Sequence, residues 1–291
     1  MWIIAGTLPV RDMPLEYGPC RVTAEGLALP SGRTMPVERG TATLAAATAL
    51  ACRHWGLEPP CVLLAGDCGA GDGSRLVYRY LTEHAAKLHP AGLTFHYLFP
   101  DVDWHNKVLL AVQALEPRPV LVADAGFMYV AKMSGYADEY TLFTPDAGEM
   151  AFLADECAPH PFYTRGFLLD EEADIPQLVA RSRQHGNCPP HLIIKGAVDH
   201  LVRDGEIIAT VDAPSVPAME AVGGTGDLIT ALVTAFLMRG AAAAPVTAVD
   251  EASLHAARCG RRIAALAQPT PATQIRELLT FLPQALDEEC G

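Results

Sequence analysis

The sequence predicts an α/β fold built on a mainly parallel sheet with helices on both faces. Short apolar runs alternate with longer helical stretches, and the runs are continuously apolar, as buried parallel strands are. The chain has 291 residues, half of them hydrophobic, which is enough for a substantial core.

Taken in order, the run 61–65 (Cys-Val-Leu-Leu-Ala) ends in Gly66-Asp67 and is followed by a helical stretch over 74–88. The pattern recurs as a strand over 94–99, a helix over 106–115, a strand over 120–123 ending at Asp124, and strands over 140–144 and 192–195. A β-ribbon is read from 201–203 and 206–211, because Asp204-Gly205 between β-prone runs is a strong hairpin signal. Residues 228–238 carry no charge and read as a largely buried helix. An alanine-rich patch at 241–244 precedes Pro245, and the tail from Pro269 holds a short amphipathic segment over 275–286. No internal repeat or low-complexity linker divides the sequence, so one domain over 1–291 is expected.

The formal charge of −13, from 21 basic and 34 acidic residues, opposes binding to nucleic acid or to an anionic membrane surface. Stretches free of Asp, Glu, Lys and Arg, such as 40–52 and 88–100, are too short to span a bilayer. Residues 1–10 lack the basic leader of a secretory signal, so a cytoplasmic protein is expected. The eight cysteines form no Cys-x-x-Cys pair, which points away from a zinc cluster or a disulfide framework, and the ten histidines show no metal-ligand spacing.

In open α/β sheets ligands bind beyond the carboxyl ends of the strands, which raises Asp67, Asp101, Asp124, Asp146 and Lys195 as candidates. The most informative segment is Ala221-Val222-Gly223-Gly224-Thr225-Gly226-Asp227, a glycine-rich turn set against the start of the 228–238 helix. Free helix N–H groups and the positive dipole end favour a phosphate there, and glycine lets the backbone approach closely. Read alone, the segment also fits a tight turn with Asp227 as a helix cap. A second glycine-rich loop, 65–75, lacks the Gly-Lys-Ser/Thr ending of a P-loop and the ligand spacing of an EF-hand. It is read as a substrate-side loop with Asp67 and Arg75 as contacts, or as an ordinary surface loop.

Three segments in order, Thr144-Pro145-Asp146-Ala147-Gly148-Glu149, Ile193-Ile194-Lys195-Gly196-Ala197 and Gly223-Gly224-Thr225-Gly226-Asp227, resemble the ribokinase-like superfamily. Within it they are most similar to the ATP- or ADP-dependent NAD(P)H-hydrate dehydratases. The resemblance spans about residues 120–262 and implies a three-layer α/β/α sandwich, a nucleotide (ATP or ADP) at the glycine turn, and Mg2+-assisted phosphoryl transfer. It implies that Asp227 is the base, that Gly223, Gly224, Thr225, Gly226 and Lys195 meet the phosphates, and that Glu149 with Asp146 serves the metal. Asp124 matches an aspartate near the substrate, a turn or capping role being the other reading. Lys195 likewise fits a surface lysine at a strand end. Sugar kinases of the superfamily use Asn-x-x-Glu and the dehydratases His-x-x-Glu, whereas this chain has Asp146-x-x-Glu149. The resemblance further departs in the N-terminal half, where Arg39-Gly40-Thr41-Ala42-Thr43-Leu44 offers an analogous helix start before an alanine-rich helix.

Two enzyme expectations follow: a dehydratase acting on hydrated NAD(P)H, or a kinase acting on a small alcohol or sugar. A nucleotide-binding protein without catalysis is a third, opposed by the retained Asp227. The resemblance also implies self-association into a homo-oligomer.

Overall fold

The computed structural model describes residues 1–157, 174–240 and 246–290, and the alanine patch at 241–244 lies outside them. The chain opens with strand β1 (Trp2–Leu8), followed by β2 (Glu16–Pro19) and three two-residue strands, β3 (Arg21–Val22), β4 (Leu27–Ala28) and β5 (Thr34–Met35). Helix α1 (Thr41–His54), β6 (Cys61–Gly66), α2 (Asp72–Leu88), β7 (Gly92–His96), α3 (Val102–Gln113), β8 (Val120–Ala123) and α4 (Gly126–Met133) then alternate. They are followed by β9 (Leu142–Phe143), α5 (Ala147–Ala154), α6 (Ile175–Gln184) and β10 (His191–Ile194). The hairpin β11 (Asp199–Arg203) and β12 (Glu206–Val211) precedes α7 (Thr225–Gly240), α8 (Val246–Ala267), α9 (Ile275–Leu278) and α10 (Leu282–Cys290).

Among the described residues nine strands form one sheet in the order β12-β11-β10-β9-β8-β7-β1-β6-β2. Its six central strands are parallel, and only the edges run antiparallel: β2 against β6, and the β11–β12 ribbon against β10. Strands β3, β4 and β5 make a separate small antiparallel sheet.

The alternation of side chains along each strand splits the core in two. Ile4, Val62, Leu64, Val122 and Ile193 face one layer with Leu44 of α1, Leu232 of α7 and Ile263 of α8. Ile3, Ala5, Leu63, Phe95 and Ala123 face the other, with Tyr78 of α2, Val108 of α3, Phe127 of α4 and Met150 of α5. A sheet buried on both faces explains why its strands read as unbroken apolar runs. It also confirms the expected α/β/α layering.

Most expected elements stand where the periodicity put them, including β8 over its full length and the hairpin across Asp204-Gly205. The strand expected over 94–99 instead ends at His96, because Tyr97 turns to φ +51°, a conformation no strand continues through. Residues 106–115 lie mostly within α3, which starts four residues earlier, with the Asp101 carboxylate capping it by accepting from the Trp104 amide at 3.2 Å. Among the described residues no helix is long and apolar enough to cross a membrane.

Parallel topology brings the ends of β7, β8, β9 and β10 to one edge of the sheet. There His96 closes β7, Asp124 follows β8, and Asp146 and Lys195 follow β9 and β10. An isolated parallel bridge pairs Asp146 with Lys195, and the Lys195 amide donates to the Pro145 carbonyl at 2.8 Å.

Candidate active site

The glycine turn is shaped by what crowds it. Gly224 sits at φ +92°, and a Cβ there would lie 3.2 Å from the Arg39 Cα and 3.3 Å from the Glu38 carbonyl. Both the conformation and the space demand glycine. The segment before α1 is thereby held against the start of α7, and the Gly40 amide donates to Asp227 Oδ2 at 2.5 Å. Asp227 Oδ1 lies 3.0 Å from His96 Nε2. Burial alone would raise the Asp227 carboxyl, but the hydrogen bond from His96, the Gly40 amide and the Lys195 ammonium together hold it below the ordinary carboxylate range. The group is an ionised acceptor at neutral pH.

Beside it, Lys195 Nζ donates to both oxygens of Asp124, at 3.0 and 3.2 Å. The Asp124 side chain is 3% exposed. It also accepts from the Thr230 hydroxyl of α7 at 2.5 Å and from the Ala125 amide at 2.8 Å, and Thr230 meets Thr144 at 2.9 Å. Burial pulls the Lys195 ammonium toward neutrality, yet Asp124, Glu149 and Asp227 outweigh it and hold the group above its ordinary range. Lys195 is therefore a fixed cation, and a Cβ added at Gly226 would come within 3.5 Å of its Nζ. Ala125, which links Asp124 to α4, sits at φ +51° without being glycine, a strained geometry of the kind that gathers at functional sites.

Asp146 and Glu149 form a capping box at the start of α5. The Glu149 amide donates to Asp146 Oδ1 at 2.8 Å, and the Asp146 amide donates to Glu149 Oε2 at 2.9 Å. Tyr129 donates its hydroxyl to Glu149 Oε1 at 3.1 Å. Burial, with Asp124 and Asp146 adding to it against Lys195, pushes the Glu149 carboxyl up to about 8. A carboxyl so short of positive charge, with a second carboxylate in the same helix turn, is a donor set that fits a hard dication such as Mg2+. His96, Asp124 and Asp227 also offer ligand atoms within 4.8 Å of one another. Their charge is met by Lys195 and the Gly40 amide, so they read as a hydrogen-bond network.

These groups open on a cavity of about 550 Å³, a size suited to a nucleotide-scale ligand. Asp124, Asp146, Glu149, Lys195, Gly224, Thr225, Gly226 and Asp227 all line it, whereas Gly223 does not. The cavity is also lined by apolar Val216, Met219 and Ile229 and by a part-buried ion pair, in which Arg261 Nε lies 2.9 Å from Asp199 Oδ2. Arg261 also donates to the carbonyls of Gly196 and Ala197 at 3.2 and 2.9 Å, bracing the loop after Lys195.

Asp67 and Arg75 stand elsewhere, and neither lines this cavity. Asp67 Oδ1 accepts from the amides of Gly69 and Gly71, and its Oδ2 from the amide and hydroxyl of Ser74, at 2.8–3.0 Å. Arg75 pairs with Asp72 at 3.0 Å and approaches Asp101 at 4.0 Å. As placed, the carboxylate ties the glycine loop to the start of α2.

Comparison with known proteins shows the family and the fold. Residues 101–282, more than half of the chain, match the carbohydrate-kinase-like family described as NAD(P)H-hydrate dehydratase. The chain belongs to that family. It is also 34% identical over 227 residues to the uncharacterized protein MJ1337 of Methanocaldococcus jannaschii, covering 78% of this chain and 90% of that protein. Among solved structures, a ribokinase-like superfamily protein from Enterococcus faecalis superposes with a TM-score of 0.57 at 13% identity, over 99% of this chain and 87% of the other. A mutant phosphofructokinase-2 from Escherichia coli does so with a TM-score of 0.52 at 14% identity, over 97% and 98%. Likeness at such identity speaks for the fold, which is ribokinase-like.

Several members of the site left no motif in the sequence. Gly40, Thr41, His96 and Tyr97 come from the part of the chain before the family match, and Thr230, Asp199 and Arg261 are isolated polar residues in apolar or mixed surroundings. Only the Arg39-Gly40-Thr41 helix start could have pointed to any of them, since the strand expected over 94–99 placed His96 inside the strand and not at its end.

Proposed function

We propose that this chain is a nucleotide-dependent NAD(P)H-hydrate dehydratase that uses ATP or ADP. The observation that carries the proposal is Asp227, an ionised carboxylate in the first turn of α7, facing the same cavity as the glycine turn and the Lys195 ammonium. Helix-start amides have no partner within the helix, so at Gly224–Gly226 they can receive the transferring phosphoryl group.

In the proposed reaction the hydrate hydroxyl attacks the terminal phosphorus of the nucleotide while Asp227 takes its proton. The new O–P bond forms, the bridging P–O bond breaks, and the shortened nucleotide departs. Phosphate then leaves the ring carbon with the bonding pair, a proton is lost from the neighbouring carbon, and the ring double bond is restored. Charge at the phosphoryl oxygens is met by the turn amides and Lys195, the kind of stabilisation on which phosphoryl transfer depends. Glu149 and Asp146 would hold the magnesium, which when bound supplies neutralisation of the phosphates. Asp124 keeps Lys195 charged and aimed. Asp67 and Arg75 lie outside the cavity and hold the loop at the start of α2. A cytoplasmic setting and self-association belong to the same proposal.

A kinase acting on a small alcohol or sugar is the second reading. It is favoured by one observation: Gly40, Thr41, His96 and Tyr97, which surround Asp227, come from outside the family-matched span. Incubation with hydrated NADH and ATP or ADP separates the two. Release of phosphate in step with regenerated NADH is expected; a stable phosphorylated alcohol, with hydrated NADH left untouched, would overturn the dehydratase reading.

A further inference from the structure

His96 lies outside the glycine turn and the carboxylate motifs, yet its ring is the most completely enclosed polar group touching Asp227. Its side chain is fully buried at the end of β7. Nε2 lies 3.0 Å from Asp227 Oδ1, and Nδ1 lies 2.9 Å from the Thr41 hydroxyl at the start of α1. Asp124, from the end of β8, stands 3.7 Å from Nε2, with Lys195 neutralising it from the other side.

The ionised Asp227 carboxylate can only accept, so Nε2 carries a hydrogen, and the hydroxyl of Thr41 decides the state of Nδ1. Thr41 is 2% exposed, and its hydroxyl meets His96 and no other group among the described residues. A buried hydroxyl that fails to donate loses a hydrogen bond it cannot recover from water, so its proton goes to Nδ1. Nδ1 is then the acceptor, Nε2 carries the hydrogen, and that hydrogen points at Asp227.

The surrounding backbone fixes the ring as well. A Cβ at Gly6 of β1 would fall 2.3 Å from the His96 carbonyl and 2.9 Å from Thr41 Cγ2, so β1 is drawn close to both partners at once. Tyr97, strained at φ +51°, sets its ring edge-on to the imidazole with centroids 4.4 Å apart.

We infer that His96 is a positioning residue for the base: held by Thr41 as the Nε2–H tautomer, it donates to Asp227 Oδ1 and, with the Gly40 amide on Oδ2, fixes the carboxylate toward the acceptor hydroxyl. The role rests on Asp227 acting as the base, as proposed above. It makes Thr41, His96 and Gly40 parts of the acceptor side of the site, contributed by the region before the family-matched span.

The experiment compares His96→Gln, His96→Asn and Thr41→Val with the wild type in steady-state turnover, nucleotide binding and urea unfolding. A glutamine amide nitrogen reaches where Nε2 sits, whereas asparagine reaches only the Nδ1 position. His96→Asn is expected to lower kcat by about 10–100-fold with the nucleotide KM unchanged, and His96→Gln to recover most of that loss, as removal and restoration of one charge-assisted hydrogen bond would. Equal losses in both variants, or losses that follow stability alone, would overturn the role. Nitrogen-15 NMR of histidine in the unliganded wild type is an independent readout: a neutral Nε2–H ring for His96 is expected, and Thr41→Val should shift the Nδ1 resonance, which loses its hydrogen bond, while Nε2 stays protonated against Asp227. An Nδ1–H or doubly protonated ring at neutral pH would overturn the assignment. The NMR result stands whether or not hydrated NADH is turned over, so failure of the proposed reaction and failure of this role are told apart.

Discussion

Asp227→Asn is expected to lower kcat by about 10²–10⁴-fold, the usual worth of a general base, with nucleotide affinity in a binding titration little changed. The asparagine has nearly the shape of the aspartate, so the loss reports chemistry more than fit. It is not silent for stability. Asp227 accepts on both oxygens, from the Gly40 amide and from His96. An amide side chain can accept on one side only and must turn its own donors against the other. One donor is left facing another, at a cost of about 1–3 kcal/mol in urea unfolding. A variant that turned over a verified substrate at the wild-type rate would remove Asp227 from the role of base.

The second large effect concerns Lys195. Its ammonium bridges both oxygens of Asp124, whose side chain is almost wholly buried. Lys195→Met leaves that carboxylate without its cation, and loss of one partner of a buried pair costs about 3–5 kcal/mol. Nucleotide affinity is expected to fall as well, since the lost charge faces the same cavity as the glycine turn. Pairing the change with Asp124→Asn removes the unmatched charge and should restore most of the stability without restoring nucleotide affinity. Equal nucleotide affinity in the single variant and the wild type would show that Lys195 serves the fold alone.

The parts of this molecule that sequence made legible are those where burial is two-sided or backbone demands are extreme. Strands β6 and β8 are apolar throughout, and β10 is apolar after His191, because helices cover both faces of the sheet, and the Asp204-Gly205 hairpin and Gly224 turn need residues that tolerate positive φ. Strand β1 is different. Gly6 and Thr7 interrupt its apolar run, for reasons visible only in space: Gly6 makes room for His96, and Thr7 bonds the Tyr97 carbonyl. The two-residue strands β3, β4 and β5 are too short to carry any period.

The site divides in the same way. Asp146, Glu149, Lys195 and Asp227 stood in three recognisable segments, and the structure gathers them with Asp124 around one cavity. His96 and Gly40 meet Asp227 across sequence separations of more than a hundred residues, and Thr41 meets His96 across 55, through hydrogen bonds that impose no local pattern. The 65–75 loop shows the converse. Read as a substrate-side loop with Asp67 and Arg75 as contacts or as an ordinary surface loop, it lies outside the cavity, and Asp67 accepts from Gly69, Gly71 and Ser74 within the turn.

A crystal structure of the protein with a non-hydrolysable ATP or ADP analogue and Mg2+ tests the central claim most directly. The terminal phosphate is expected within hydrogen-bonding distance, roughly 2.7–3.2 Å, of the amides in the Gly224–Asp227 turn, with Lys195 beside it and the Asp227 carboxylate on the acceptor side. Phosphates bound away from α7, with Asp227 and its turn unchanged, would contradict it.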